Sequence, residues 1–172
     1  DIGYTFEIAI ADIIDNSITA HASTINIHAA ESPKMFVAIL DNGNGMNDKD
    51  LKEAMRISTK DPDMQRDSDD LGKFGLGLKT ASFSHCKKLT VVSKSKTSKI
   101  SAKQWDIDSI IKANSWNLNI LDESDVSKLI IEADCSDLFD QLNSQDSGTL
   151  VLWQKIDRVE NNSLLDKIEN LT

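Results

Sequence analysis

Asp41-Asn42-Gly43-Asn44-Gly45-Met46 follows directly on the apolar run Met35-Phe36-Val37-Ala38-Ile39-Leu40. Residues 35–40 read as a strand, and Asn-Gly is the commonest signal for the tight turn that ends one. The turn accounts for Asn42 and Gly43. It gives no reason for Asp41 before them or Gly45 after them. A carboxylate at a strand end can accept a hydrogen bond from an exocyclic amine. Two glycines would let backbone approach a planar ring closely.

Outward from this turn the chain alternates strands and helices. Residues 4–21 (YTFEIAIADIIDNSITAH) predict a helix, being rich in Ile and Ala and free of Gly and Pro. Residues 24–30 predict a strand that a Ser-Pro turn separates from 35–40, and 47–57 predict a short helix. The polar stretch 58–71 (STKDPDMQRDSDDL), with its five aspartates, reads as a loop. A helix is expected at 78–85, strands at 88–95 and 99–107, and a strand at 148–156 before a closing helix at 158–171. Residues 108–147 are the least legible, with a short strand near 116–121 and a helix near 124–142 expected. Hairpin-like strands mixed with helices point to an α+β two-layer α/β sandwich rather than a doubly wound parallel sheet. The chain reads as a single domain over 1–172.

Composition narrows the function. The 172 residues carry a formal net charge of −9, 40% hydrophobic and 27% charged. That balance excludes a disordered or collagen-like chain. It also argues against a broad basic face gripping nucleic acid, so any such contact is expected through other regions. No apolar stretch approaches the roughly 20 residues that cross a bilayer, so no membrane partner is expected. Cys86 and Cys135 lie far apart without a CxxC pair, which disfavours a disulfide framework or zinc site. A reducing, cytoplasmic location is the simplest reading. The chain opens on Asp1, and a fragment of a longer protein is expected.

Three further segments carry chemistry. Asp12 and Asn16 stand four apart and share one helix face, inside a run containing Ile8, Ile10, Ile13 and Ile14. A carboxylate among isoleucines needs a partner or a task, because a bare buried charge is costly. Taken alone, a solvent-facing polar stripe is the better reading of the pair, because helices with an acid and an amide four apart are common. Gly72-Lys73-Phe74-Gly75-Leu76-Gly77-Leu78-Lys79-Thr80 opens onto a helix, so its backbone N–H groups can converge on an anion. It is GxxGxG rather than the dinucleotide GxGxxG, and Leu78 stands where a P-loop needs lysine. A glycine hinge without a ligand is the plain alternative. Ser147-Gly148-Thr149 enters the strand Leu150-Val151-Leu152-Trp153 and by itself says only turn, then strand.

Together and in this order, these pieces resemble the GHKL ATPase superfamily of gyrase, heat-shock chaperones, histidine kinases and MutL, over nearly the whole chain. Asp12 to Asn16 is similar to its acid-and-asparagine motif, Asp41 to Gly45 to its DxGxG motif, Gly72 to Gly77 to its lid motif, and Thr149 to its late threonine. DNSITAHA resembles MutL and MORC proteins, and GKFGLGLKTAS is nearest to MORC-like members. The resemblance implies a Bergerat fold, a mixed β-sheet covered on one face by helices, with ATP bound between them and residues 58–77 as the ATP lid. It implies that Asp41 takes the adenine amine with Gly43, Gly45, Met46 and Thr149 nearby, and that Asn16 ligates Mg²⁺. Gly72, Phe74, Gly75, Leu76, Gly77, Leu78 and Lys79 would surround the phosphates, and Asp12 would act as catalytic base. ATP-dependent homodimerisation of the full-length protein is a further implication.

Two departures matter. The family's acid is usually Glu, and Asp12 is one methylene shorter; Thr19 stands where MutL-like members often carry Asp. Glu7 lies off the Asp12 helical face, and Asp15 points about 100° away from Asn16. Four functions therefore compete: an ATP-hydrolysing switch, a nucleotide-binding module without appreciable turnover, a histidine-kinase catalytic domain, and an unliganded interaction domain. The third is disfavoured because histidine kinases generally lack the acid four before the asparagine. The fourth makes four motifs in register an accident.

Overall fold

The computed structural model describes residues 5–32, 34–56, 77–156 and 164–169. Helix α1 (Phe6–Thr19) starts where the Thr5 hydroxyl accepts the Ile8 N–H, and it buries Phe6, Ala9, Ile10, Ile13 and Ser17. Those spacings of three and four make a single apolar stripe that ends in a serine. Strands β1 (Ile25–Ala30) and β2 (Phe36–Asp41) pair antiparallel. Helix α2 (Asp48–Met55) begins at Asn47, whose side chain accepts the Asp50 N–H. Helix α3 occupies residues 77–83. Strands β3 (Cys86–Lys94) and β4 (Ser101–Asp106) follow as a second antiparallel pair.

The stretch that was hardest to read contains α4 (Ile107–Ala113), β5 (Asn119–Leu121), α5 (Glu123–Glu132) and α6 (Ser136–Ser144). Helix α4 was not expected, and the helix expected over 124–142 is two helices. The break falls at Asp134, whose φ of 51° is left-handed and cannot continue a right-handed helix. Strand β6 (Gly148–Ile156) and helix α7 (Leu164–Glu169) end the described chain.

The strand order is β1-β2-β6-β3-β4-β5, and every pairing among the described residues is antiparallel. The α+β sandwich stands, but the expected mixed pairing does not. Both β2 and β3 run antiparallel to β6, so they run parallel to each other with β6 between them. The connection through α2 and α3 carries the chain back to the same end, as a crossover does. The parallel relation exists between strands that never touch.

Helices also cover both faces, where one was expected. Val37, Ile39, Leu89, Val91, Val151 and Trp153 pack with Phe6, Ile10 and Ile13 of α1 and with Leu51 and Met55 of α2. On the other face, Phe36, Ala38, Leu40, Val92, Leu150 and Leu152 pack with Val126, Leu129 and Ile130 of α5 and Leu138 and Leu142 of α6. The cause is in the strands. All six residues of β2 are buried, and a strand without polar alternation needs both faces covered.

Candidate functional site

Three neighbouring strands end together on the α1 face. Asp41 closes β2, Thr149 lies opposite it as the second residue of β6, and Ser93 lies opposite Thr149 near the end of β3. Asp41 shares its face with Val37 and Ile39, as period-two alternation requires. Its carboxylate is buried, with 6% of the residue exposed. Ser17 donates its hydroxyl to Asp41 Oδ2 at 2.7 Å, and the Gly43 N–H donates to Oδ1 at 2.9 Å. The Thr149 backbone also hydrogen-bonds to it. Burial nevertheless holds the Asp41 pKa above the usual carboxylate value, and the three hydrogen bonds only partly oppose it.

Asn42 does not make a hairpin. Its Oδ1 accepts the Ser23 and Thr24 N–H groups and its Nδ2 donates to Ser23 Oγ, which fastens the α1–β1 connection to the end of β2. The glycines meet protein. A Cβ on Gly43 would come within 2.8 Å of the Ala20 carbonyl, and Gly45, at φ +63°, has the Lys94 carbonyl oxygen where its Cβ would be. Both missing side chains make room for protein backbone, a packing role that the reading of these glycines as places for a ring to approach did not include. Ser93 Oγ accepts the Met46 N–H at 2.9 Å and so holds the end of the motif.

Above this floor is a cleft of about 310 Å³ lined by Asn16, Asp41, Gly45, Met46, Asp50 and Thr149, with Thr19, Ala20, His21 and Asn44 at its sides. Asn16, Asp41, Gly45, Met46 and Thr149 thus come together from three separate motifs. Gly43 lies behind Asp41 and does not line the cleft. Asp12 is half-buried one turn earlier on α1 and is likewise outside the lining. Leu78 is fully buried in the core, so only its backbone can face a ligand. Lys79 is half-buried on α3; burial lowers its pKa and Glu53 opposes that shift. Gly77 opens α3, with no described atom within 4 Å of an added Cβ. Gly72, Phe74, Gly75 and Leu76, with nearly all of the lid segment, lie outside the described residues.

Sequence reasoning passed over Ser17 and Ser93. Signals for both were present, since Ser17 follows Ile13 by four in the buried stripe and Ser93 follows Leu89 and Val91 by twos. A larger cavity of about 530 Å³ lies on the opposite sheet face, between the β3–β4 turn, α5 and α6. It contains none of the motif residues.

Residues 4–149 match the family of histidine kinase-, DNA gyrase B- and HSP90-like ATPases. The chain belongs to that family. The match runs from the residue before the α1 cap to Thr149 on the cleft floor, so it takes in every element that builds the site. This GHKL domain is a nucleotide-binding ATPase module. It is 37% identical over 90 residues to MutL protein homolog 1 of Schizosaccharomyces pombe, an alignment covering 51% of this chain and 13% of that protein. The domain is therefore MutL-like, and it corresponds to a small part of its relative's length. No helix among the described residues is long and apolar enough to cross a membrane.

Among the described residues no three His, Cys, Asp or Glu side chains cluster as a metal cage. Asn16 reaches the cleft with its Nδ2 buried and unpartnered. Nδ2 is a hydrogen-bond donor and no metal ligand, so only the Asn16 amide oxygen could serve Mg²⁺, a hard ion that takes one or two protein oxygens and leaves its other positions to phosphates and water.

Proposed function

We propose that this domain binds ATP with Mg²⁺ in the cleft between α1 and the β2–β6–β3 strand ends, and hydrolyses it as the switch of a longer MORC- or MutL-like protein. The observation that carries this reading is Asp41: an acceptor-only carboxylate, buried at the cleft floor and held by three protein donors. Burying a charge is costly, and a ligand amine on its remaining lone pairs supplies a return.

In this reading Asp41 accepts from the six-amino group of adenine, with Gly45, Met46 and Thr149 beside the ring and Gly43 bracing the carboxylate. Asn16 would hold Mg²⁺, which supplies charge neutralisation on the phosphates when bound. Gly72, Phe74, Gly75, Leu76, Gly77, Leu78 and Lys79 would surround the phosphates, chiefly through backbone N–H groups, with 58–77 as lid. Asp12, on the Asn16 face of α1, would accept the proton from the attacking water. The chain would be one domain of a cytoplasmic protein that dimerises on ATP and meets nucleic acid only through other regions.

One observation favours a second reading, binding without appreciable turnover: Asp12 is a short acid and does not line the cleft. Titration calorimetry with ATP and GTP in the presence of Mg²⁺ tests the shared core of both. ATP should bind and GTP should not, because Asp41 faces the guanine carbonyl with a like partial charge. Equal binding of the two would remove Asp41 from base recognition.

A further inference from the structure

Ser93 is fully buried and does not line the cleft, yet it bonds two residues that do, Met46 and Thr149. Its Oγ accepts the Met46 N–H at 2.9 Å and lies 3.0 Å from the Gly148 carbonyl oxygen and 2.8 Å from Thr149 Oγ1. These neighbours come from the loop after β2 and from β6, while Ser93 itself is on β3. A hydroxyl has one proton and two lone pairs. With Met46 donating to it, Ser93 can send that proton to Gly148 or to Thr149, and to only one of them at a time.

The choice decides what Thr149 offers a ligand. If Ser93 donates to Gly148, Thr149 donates back to Ser93 and shows the cleft only lone pairs. If Ser93 donates to Thr149, the Thr149 proton is free to point into the cleft. Thr149 sits directly across from Asp41 in the β2–β6 register, so the two present adjacent positions on one edge of a bound base. An adenine whose amine lies on Asp41 offers, at the next ring position, the acceptor N1. The second arrangement fits that edge.

We propose that Ser93 is a positioning residue for base recognition, which turns the Thr149 hydroxyl proton toward N1 and holds the Met46 backbone beside the ring. The inference rests on the ATP reading above. Ser93 does not line the cleft and acts through its two neighbours there, Thr149 and Met46.

The test is a cycle between protein and ligand on the full chain, comparing ATP with 1-deaza-ATP, in which a C–H replaces N1. Wild type should prefer ATP by about fivefold to tenfold, the range of one net hydrogen bond. In Ser93→Ala the ATP affinity should fall by a similar factor and the preference should shrink toward one. A serine that merely supports the fold would weaken both nucleotides equally and keep the wild-type ratio, and that result overturns the proposal. Ser93→Cys, whose thiol is a weaker donor, is measured alongside, with thermal melting of both variants. Should the alanine variant fail to fold, a reduced ratio in the cysteine variant supports the proposal and an unchanged one overturns it. A wild type that binds ATP but ignores N1 also overturns it and leaves the ATP reading intact. A wild type that binds neither nucleotide removes the ATP reading itself and this inference with it.

Discussion

Ser17 Oγ donates to Asp41 Oδ2 over 2.7 Å, joining the last buried position of α1 to the last residue of β2. The bond sets one carboxylate oxygen and favours the ionised form in a place where burial opposes charge. It also means that the acid and the asparagine motif are built as a unit, since Ser17 follows Asn16 directly.

Exchanging Asp41 for Asn should therefore separate binding from folding. The new amide can keep the Gly43 N–H on its oxygen and donate its NH₂ to Ser17 Oγ, whose own proton then turns to the Ile13 carbonyl, 3.3 Å away. Thermal stability should hold. The charge-assisted bond to the ligand amine is lost, about 1.5–3 kcal/mol, so calorimetry should show ATP affinity down at least tenfold.

The same pair makes ATP binding sensitive to acid. The folded Asp41 pKa lies above its ordinary value of 3.8. Its ionisation therefore costs stability as pH rises through that pKa, while the form that accepts the ligand amine exists only above it. Affinity should fall as pH falls toward that point. Ser17→Ala removes a hydrogen bond to the ionised form and should move the fall to higher pH. A pH series of dissociation constants that superimposes for the two proteins would contradict this account.

Away from the cleft, Lys103 Nζ lies 2.5 Å from Asp48 Oδ1; the lysine side chain is 1% exposed and the aspartate side chain 70%. The hydrogen bond from Lys103 is the main cause that lowers the Asp48 pKa, so this stability is present above 3.8 and is lost as pH falls through the folded value. Asp48→Asn leaves an ammonium buried without its counter-charge and should cost about 1–3 kcal/mol in urea unfolding, toward the lower end because Asp48 is solvated. Lys103→Met removes the charge instead and should be near neutral.

Turnover tests Asp12. Asp12→Asn keeps size and hydrogen bonding but cannot take a proton from water, so ATP hydrolysis by full-length protein should fall by about 10²–10⁴. ATP affinity should be unchanged or higher, because a negative charge near the phosphates has gone. Equal hydrolysis in both proteins would place the base elsewhere, with Asp15 tested next.

The sequence made some features plain and hid others for physical reasons. Asp41 stood out as a carboxylate closing an apolar strand, whereas Asn16 taken alone read as part of a solvent-facing stripe and Thr149 as a plain turn before a strand, and only the family resemblance joined them. The roles of Gly43 and Gly45 were not, because what a missing side chain makes room for is decided by Ala20, Lys94 and Gly148, which are distant in the chain. The break at Asp134 escaped notice because aspartate is an ordinary helix-surface residue and only its φ betrays it. Coverage of the second sheet face was written in the unbroken apolar run of β2, but the helices that supply it, α5 and α6, come from the stretch whose pattern was least regular.

The last strand of the sheet to be synthesised, β6, fills the gap between β2 and β3, and this has a consequence for biosynthesis. A ribosome that has not yet released Gly148 has made β1–β2 and β3–β4 as two separate hairpins with no shared edge. Asp41 and Ser93 then have no Thr149 to join them. A cleft floor holding both Asp41 and Thr149 must wait for β6, so the cleft is among the last features of this domain to mature during translation.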